Sequence, residues 1–275
     1  MQRINVAQPL VYTALFDLSR DVVDGRSIND YKSWLVRTCA LFPGLTVFHD
    51  GCCDDLDLED VKFHRIKPSD LKFFQFLDPV SVIVKSFLPD SPDDVTFRLP
   101  SYSLMQFSKF ELGCLLLKDL EGGSVLWVDA GISRFFDESQ IQNGSLMAFT
   151  PILNEFDLIL EIDLRRNLKF LKMRIKESQI GSCRRIISGT SFWANHKAIN
   201  ELYQKSISAA SEWIESGIWD NEQVMLRNIF SKLDLKTAFV IQGKKDTGSV
   251  ARFSINPSLL FLNSKSKVIA FLLRK

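Results

Sequence analysis

Three carboxylates in the chain each follow directly on an apolar segment, a placement that suits the binding of a cation or a hydroxyl group. Asp17 follows "LVYTALF", Asp50 follows "LTVFH" and Asp129 follows "SVLWV". If these segments are strands of one parallel sheet, the carboxylates gather beyond the carboxyl ends of the strands, where open α/β sheets bind ligands. Each acid can equally begin an ordinary turn, and for the three together the sequence leaves both interpretations open.

Cationic, small and amide side chains elsewhere in the chain complement these acids. They are Arg20, Lys109, Arg134, the stretch "SGTS" at 188–191 and the stretch "WDNEQ" at 219–223. A sugar nucleotide requires groups of these kinds, because its diphosphate needs a divalent cation held by a carboxylate, or Lys and Arg in its place. Its sugar hydroxyls need carboxylates and amides, and an acceptor hydroxyl needs a base or a tightly positioned approach.

The elements that must position these residues begin with a strand, a helix and a second strand. Residues 10–17 are predicted to form a buried strand. Ser27 is placed to cap a helix over 28–41, where apolar residues recur at helical spacing. A Pro-Gly pair at 43–44 ends that helix, and "LTVFHD" is predicted as the next strand. This order and spacing indicate a βαβ unit, which favours a parallel sheet.

Further strands and helices follow, so the sequence predicts one α/β domain with a mixed, mostly parallel sheet flanked by helices. "SYSLMQFSKFELGCLLLKDL" is apolar almost all round and is expected to be a deeply packed helix before the strand "SVLWV". "FDLILEIDL" is predicted as a strand, and 185–214 as a strand, a small-residue turn at 188–191 and a long helix. "GIWDNEQVMLRNIFSKL" is predicted as a helix with Asp220 as its N-cap. The region 52–100 is less regular, and short strands and loops are expected from "TAFVIQ" onward.

Composition and missing motifs exclude several classes of function. The 275 residues are 46% hydrophobic and 24% charged with a net charge of +1, so no strong field favours nucleic acid. The sequence contains no GxSxG, HExxH, Walker or GxGxxG motif, and its 3 histidines share no ligand spacing. The 5 cysteines include no CxxC pair, and their odd number and the adjacent Cys52 and Cys53 do not suit a disulfide framework, which indicates a reducing compartment. No apolar run is long enough to predict a membrane span, so a cytoplasmic protein is expected.

The pattern "FSKFELGCLLLKDL…VLWVDAGISRFF", with "VYTALFDLSRD" before it and "WDNEQVML" after it, resembles the bacterial HtrL/YibB family. The resemblance covers most of the chain and is densest over 105–136. That family is related to glycosyltransferases of the GT-A fold, among them enzymes of surface-polysaccharide and lipopolysaccharide assembly. The resemblance therefore implies a single GT-A-like (Rossmann-like) domain over 1–275, with nucleotide-sugar binding in 1–136 and acceptor binding in 137–275.

The resemblance places Asp129 where GT-A enzymes carry their DxD metal motif. The sequence Asp129-Ala130-Gly131 offers one acid there and not two. A divalent cation, Mn²⁺ or Mg²⁺, is implied as a cofactor, held by Asp129 with the diphosphate and water completing its shell. Lys109 or Arg134 can instead offset the phosphate charge directly. The structural alternative for Asp129 is an Asx turn after a strand.

The other site residues divide between a nucleotide side and an acceptor side. Asp17 and Arg20 are expected to line the nucleotide site. In "WDNEQ", Glu222 is expected to be the base that deprotonates the acceptor hydroxyl, with Asp220 as the second candidate. Acids that the helix dipole favours in a first turn are the alternative explanation for both. The residues expected to contact substrate are Gly189, Thr190, Ser191 and Gln223.

The function that the resemblance implies is transfer of a hexose from a nucleotide diphosphate sugar, with UDP as the expected carrier, to a bacterial surface glycan or lipid-linked oligosaccharide. A sugar nucleotidyltransferase, whose glycine-rich signature is missing here, and a non-catalytic glycan- or nucleotide-binding relative are the alternatives. The expected partners are a nucleotide-sugar donor and a saccharide acceptor, without nucleic acid. A basic amphipathic face within 165–185 is either a solvated surface or a peripheral contact with the cytoplasmic face of the inner membrane.

Overall fold

The computed structural model describes residues 8–87, 95–136, 156–163, 187–230 and 232–242. The amphipathic element and basic face predicted within 165–185, and the chain beyond 242, lie outside the described residues. Strands from both sides of residue 136 nevertheless contribute to one sheet. That sheet positions the residues singled out above.

Within the described residues, seven strands form one mixed sheet in the order β3-β2-β1-β4-β6-β5-β7. They are Leu10–Leu15 (β1), Thr46–His49 (β2), Lys62–Arg65 (β3), Ser124–Val128 (β4), Leu158–Asp163 (β5), Ile187–Asn195 (β6) and Thr237–Gln242 (β7). β6 runs antiparallel to its neighbours β4 and β5, and every other neighbouring pair is parallel. The predicted α/β class, with a mixed and mostly parallel sheet flanked by helices, is confirmed.

Helices occupy much of the chain between the strands. The α-helices are Asp21–Asp24 (α1), Ile28–Leu41 (α2), Leu77–Phe87 (α3), Val95–Arg98 (α4), Pro100–Leu117 (α5), His196–Glu215 (α6) and Glu222–Phe230 (α7). Short 3-10 helices occupy Pro68–Asp70, Lys72–Phe76 and Ile132–Phe135. Residues of α5 are buried on all sides of the helix, as its apolar sequence predicted.

Alternate residues of the central strands enter two hydrophobic clusters, because successive strand side chains point to opposite faces of a sheet. Tyr12 and Trp127 belong to the first cluster, together with buried residues of α5 and α6. Val11 and Leu126 belong to the second cluster, together with Leu35 of α2. Both faces of the sheet are therefore covered, which explains why β4 is apolar along its length.

The predicted βαβ unit is confirmed, since β1, α2 and β2 follow one another and the two strands are parallel. A capping box begins α2 where the sequence placed it. The Oγ of Ser27 accepts a hydrogen bond from the Asp30 backbone N–H at 3.2 Å, and an Asp30 carboxylate oxygen accepts one from the Ser27 backbone N–H at 2.9 Å. The helix ends at Leu41, just before the Pro-Gly pair.

Two local predictions are wrong. Residues 188–191 are not a turn, because they lie inside β6, where Ser191 pairs with Val128 of β4. Asp220 is not the cap of α7. Asn221 caps that helix, since its Oδ1 accepts hydrogen bonds from the backbone N–H groups of Gln223 at 3.0 Å and Val224 at 3.2 Å.

Candidate active site

A cavity opens at the point where the strand order changes direction. The chain adds β2 and β3 on one side of β1, whereas β4 lies on the other side. Ligands of open α/β sheets bind in the crevice that such a switch leaves beyond the carboxyl ends of the strands. This cavity is lined by residues 16–18, which follow β1, and by residues 129–131, which follow β4. Its volume is about 820 Å³ when the open mouth is included. We call it the larger cavity, because a smaller one adjoins it.

Tyr31 of helix α2 lines the larger cavity, and Trp34 lies three positions further on, on the same side of the helix. The rings of Tyr31 and Trp34 meet edge to face with centroids 5.0 Å apart. The guanidinium of Arg20 lies 5.5 Å from the Tyr31 ring and 4.2 Å from the Tyr102 ring, and that of Arg134 lies 4.9 Å from the Trp34 ring. The N–H donors of Arg20 are engaged with Asp24 and with the Tyr31 hydroxyl, whereas a guanidinium that lies over a ring, as that of Arg134 does, can keep the donors at its edge for a ligand.

A smaller cavity of about 400 Å³ adjoins the larger one. Tyr102, Gln106 and Asp129 line both cavities and so form the boundary between them. The smaller cavity is lined mainly by polar side chains, among them Thr96, Thr190, Asn221, Glu222 and Gln223. Since β6 is antiparallel to β4, the beginning of β6 lies at the edge of the sheet where β4 ends. This brings Thr190 beside Asp129, whose backbone N–H donates to the Thr190 carbonyl oxygen at 2.9 Å.

A buried ion pair supports the smaller cavity. The Nζ of Lys109 donates to Glu222 Oε1 at 3.2 Å and to the Gly189 carbonyl oxygen at 2.9 Å. The Nε1 of Trp127 donates to the same carbonyl oxygen at 3.2 Å. Lys109 is 0% exposed and Glu222 is 4% exposed. One ammonium group on α5 therefore ties β6 to the first residue of α7 and fixes the Glu222 carboxylate at the cavity wall.

The environment of Asp129 makes its carboxyl group easier to protonate than an ordinary aspartate. Burial raises the pKa of Asp129 to about 6, and the negative charge of Glu222 acts in the same direction. The positive charges of Lys109 and Arg134 act against this rise. Protonated and ionised Asp129 are thus both accessible near neutral pH, at the boundary where two ligands would meet.

The structure divides the predicted site residues into groups. Those that line the larger cavity are Asp17, Arg20, Asp129 and Arg134. Those that line the smaller cavity are Asp129, Gly189, Thr190, Glu222 and Gln223. Lys109 lies behind Glu222 and Gly189 rather than in the lining of either cavity.

Two predicted site residues lie further back in the protein. Asp220 is 3% exposed, and its Oδ1 accepts the backbone N–H of Asn221 at 2.7 Å. Ser191 is 0% exposed, and its Oγ donates to Glu161 Oε2 at 3.1 Å. Neither residue belongs to the lining of the two cavities.

Several cavity residues were missed by the sequence interpretation. Arg26 and Tyr31 line the larger cavity, and Tyr102 and Gln106 line both cavities. A signal for the last two was present in the sequence, because they lie one turn apart near the start of an otherwise apolar helix. Both side chains are half-buried and contribute to the lining of both cavities.

The described residues do not fit a metal site built around Asp129. In this part of the chain, no group of three or more His, Cys, Asp or Glu side chains is arranged to hold a metal ion. The carboxylate of Glu222 is paired with Lys109, and Asp17 Oδ1 accepts the backbone N–H of Ser19 at 3.1 Å. We therefore assign no reaction step to a divalent cation.

Replacement of Gly189 by Ala is expected to disturb the ion pair. A Cβ at this position would overlap Glu222 Oε1 and lie 2.8 Å from Lys109 Nζ, so the pair must shift. We expect Gly189→Ala to lower the free energy of unfolding by about 1–3 kcal/mol, as overpacking of a buried site does. Chemical denaturation measures the change, with Ser188→Ala as a control on the same strand. Equal stability of the two variants would contradict the expectation.

The described residues form an α/β protein with two adjoining cavities at the switch point of its sheet. No protein-family model and no curated protein matches the chain. Among solved structures, the apo crystal structure of mouse xyloside xylosyltransferase 1 is similar to it with a TM-score of 0.33 and 10% sequence identity, over 82% of each chain. Of the described helices, none combines the length and the apolar character that crossing a bilayer requires.

Proposed function

We propose that the protein is a glycosyltransferase that moves a hexose from a nucleotide diphosphate sugar, with UDP as the carrier, to a saccharide of a bacterial surface glycan or a lipid-linked oligosaccharide. The observation that carries the proposal is the position of Asp129 in the lining of two adjoining cavities. Group transfer requires donor and acceptor to meet in a fixed orientation at the reacting atom. Two cavities with a common boundary provide such a meeting point.

The larger cavity suits the donor. Guanidinium groups bind phosphate through parallel N–H donors, and Arg20 and Arg134 line this cavity. Asp17 at the end of β1 offers a carboxylate to the hydroxyl groups of a nucleoside. The resemblance to GT-A enzymes also implies Mn²⁺ or Mg²⁺ near Asp129, but the step below is written without it.

The smaller cavity suits a saccharide acceptor, because hydroxyl and amide side chains recognise sugar hydroxyls. In the proposed reaction, Glu222 takes the proton of the acceptor hydroxyl while the oxygen of that hydroxyl forms a bond to the anomeric carbon of the donor sugar. The bond from that carbon to the diphosphate oxygen breaks, and the nucleoside diphosphate leaves. Lys109 orients the Glu222 carboxylate rather than contacting phosphate, because its ammonium is enclosed between Glu222 and Gly189. Asp220 stays the second candidate for the base.

A donor screen tests the proposal. The purified protein is incubated with UDP-, GDP- and ADP-hexoses, with and without oligosaccharides, and release of the nucleoside diphosphate is measured. We expect release from at least one donor and faster release when an acceptor is present. Binding of a donor without any release indicates a non-catalytic relative. Release of pyrophosphate from a nucleoside triphosphate and a sugar 1-phosphate indicates a nucleotidyltransferase, and absence of all binding overturns the proposal.

A further inference from the structure

The lining of the larger cavity carries more cationic than acidic side chains. Three arginines, Arg20, Arg26 and Arg134, line it, and its acidic lining residues are Asp17 and Asp129. A diphosphate is strongly anionic, so a ligand of that kind must be neutralised either by these arginines or by a bound cation. The contacts and the exposure of each arginine indicate whether arginines or a bound cation neutralise the ligand.

The guanidinium of Arg134 lies against two aromatic rings. It is 4.9 Å from the ring centroids of both Trp34 and Phe135. The residue is exposed and lies in the 3-10 helix that follows Asp129 by three residues. A guanidinium that stacks on rings keeps its in-plane N–H donors for a ligand. Arg134 therefore presents the N–H donors of a charged guanidinium to the cavity, close to the end of β4.

Arg26, two residues before the start of α2, has a second solvent-exposed guanidinium. It shares one acidic partner with Arg20: Arg20 Nη2 lies 2.6 Å from Asp24 Oδ2, and Arg26 Nε lies 3.8 Å from the same oxygen. Two guanidinium groups beside one carboxylate leave a net positive charge. The side chain of Arg26 is 45% exposed, against 12% for Arg20, which is also bonded to Tyr31. Arg26 is thus the one of this pair that is free to reach a ligand.

The carboxylates offer a poor donor set for a divalent cation by comparison. Asp129 is the single acid that lines both cavities in the described part of the chain. Glu222 is held by Lys109. The Oδ1 of Asp17 is engaged with the backbone N–H of Ser19. The arginines are therefore better placed than the acids to neutralise phosphate charge.

We infer that Arg26 and Arg134 neutralise the diphosphate of the bound ligand directly, from the α2 side and the β4 side of the larger cavity, and that binding requires no divalent cation. This inference rests on the proposed function, because it takes a nucleoside diphosphate as the occupant. Arg20, enclosed between Tyr31, Tyr102 and Asp24, positions this side of the cavity. The inference departs from the metal that the family resemblance implies.

Titration calorimetry with UDP, GDP, CDP and ADP tests this inference, in EDTA and in excess MnCl₂. The best-binding nucleotide is expected to bind in EDTA with an affinity within about threefold of that in Mn²⁺. Arg134→Gln and Arg26→Gln are each expected to weaken binding about ten- to hundredfold, the usual effect of losing a charge-assisted hydrogen bond. Both variants should leave binding of the parent nucleoside unchanged. Arg37→Gln is the matched control, because Arg37 is an exposed residue of α2 outside the cavity lining.

Three results would overturn the inference, and only the third also overturns the proposed function. Binding that disappears in EDTA and returns with Mn²⁺ overturns it while leaving the proposed function standing. The same applies if the two cavity variants bind the nucleotide as well as Arg37→Gln does. Failure of all four nucleotides to bind under either condition overturns the inference and the proposed function together.

Discussion

Replacement of Lys109 by Met is expected to lower the free energy of unfolding by about 3–5 kcal/mol, because it breaks a buried ion pair from one side. The side chain is fully buried and its ammonium contacts Glu222 Oε1 and the Gly189 carbonyl oxygen. Methionine fills a similar volume but leaves the Glu222 carboxylate without its positive partner. Urea unfolding followed by circular dichroism measures the loss.

A double-mutant cycle separates the ion pair from simple packing. Glu222→Gln alone leaves the Lys109 ammonium buried beside a neutral amide, so it is also expected to be destabilising. The double variant Lys109→Met, Glu222→Gln contains no unpaired buried charge and should lose less stability than the sum of the two single variants. If the two losses simply add, the contact between Lys109 and Glu222 contributes nothing specific and the account of the pair fails.

The sequence predicted those parts of the fold whose signal is local. The capping residue and apolar spacing of α2 gave the bounds of that helix correctly. The apolar run of β4 is covered on both sheet faces, and the acids after β1 and β4 do line one cavity. In each case a short stretch contained enough hydrophobic pattern to specify its own structure and its place in the sheet. Because neighbouring parallel strands end at the same edge of a sheet, the sequence also predicted that Asp17 and Asp129 lie near each other.

The predictions that failed depended on contacts between distant parts of the chain. Gly189 and its small neighbours have the composition of a turn. In the structure the glycine is needed inside β6 because Glu222 and Lys109 approach its α-carbon closely. Lys109 was predicted to offset phosphate charge, but its partner Glu222 lies 113 residues away and no local pattern identifies that contact. β3 was missed because it is a short, largely exposed edge strand without an apolar pattern.

Replacement of Asp129 by Asn is expected to reduce turnover of the donor found in the screen about 100- to 1000-fold, because an ionised carboxylate at the boundary of the two cavities offsets the positive charge that develops at the anomeric carbon and a neutral amide does not. Asn keeps the size of the side chain and can still accept a hydrogen bond, so only the ionisable group is lost. The variant is assayed with the same donor and acceptor as the wild type. Wild-type turnover in Asp129→Asn would remove the residue from the proposed mechanism.

The same variant is expected to be at least as stable as the wild type at neutral pH, which separates catalysis from folding. The pKa of Asp129 in the folded protein is about 6, above its ordinary value of 3.8, and burial is the main cause. Between these two values the folded state binds more protons than the unfolded state, so ionisation of Asp129 lowers stability as pH rises through this window. Asn cannot ionise. The free energy of unfolding of the variant, relative to that of the wild type, should therefore rise between about pH 4 and pH 7. A variant that loses stability as the pH rises through this range, relative to the wild type, would show that ionised Asp129 stabilises the fold and is not merely accommodated at the cavity boundary.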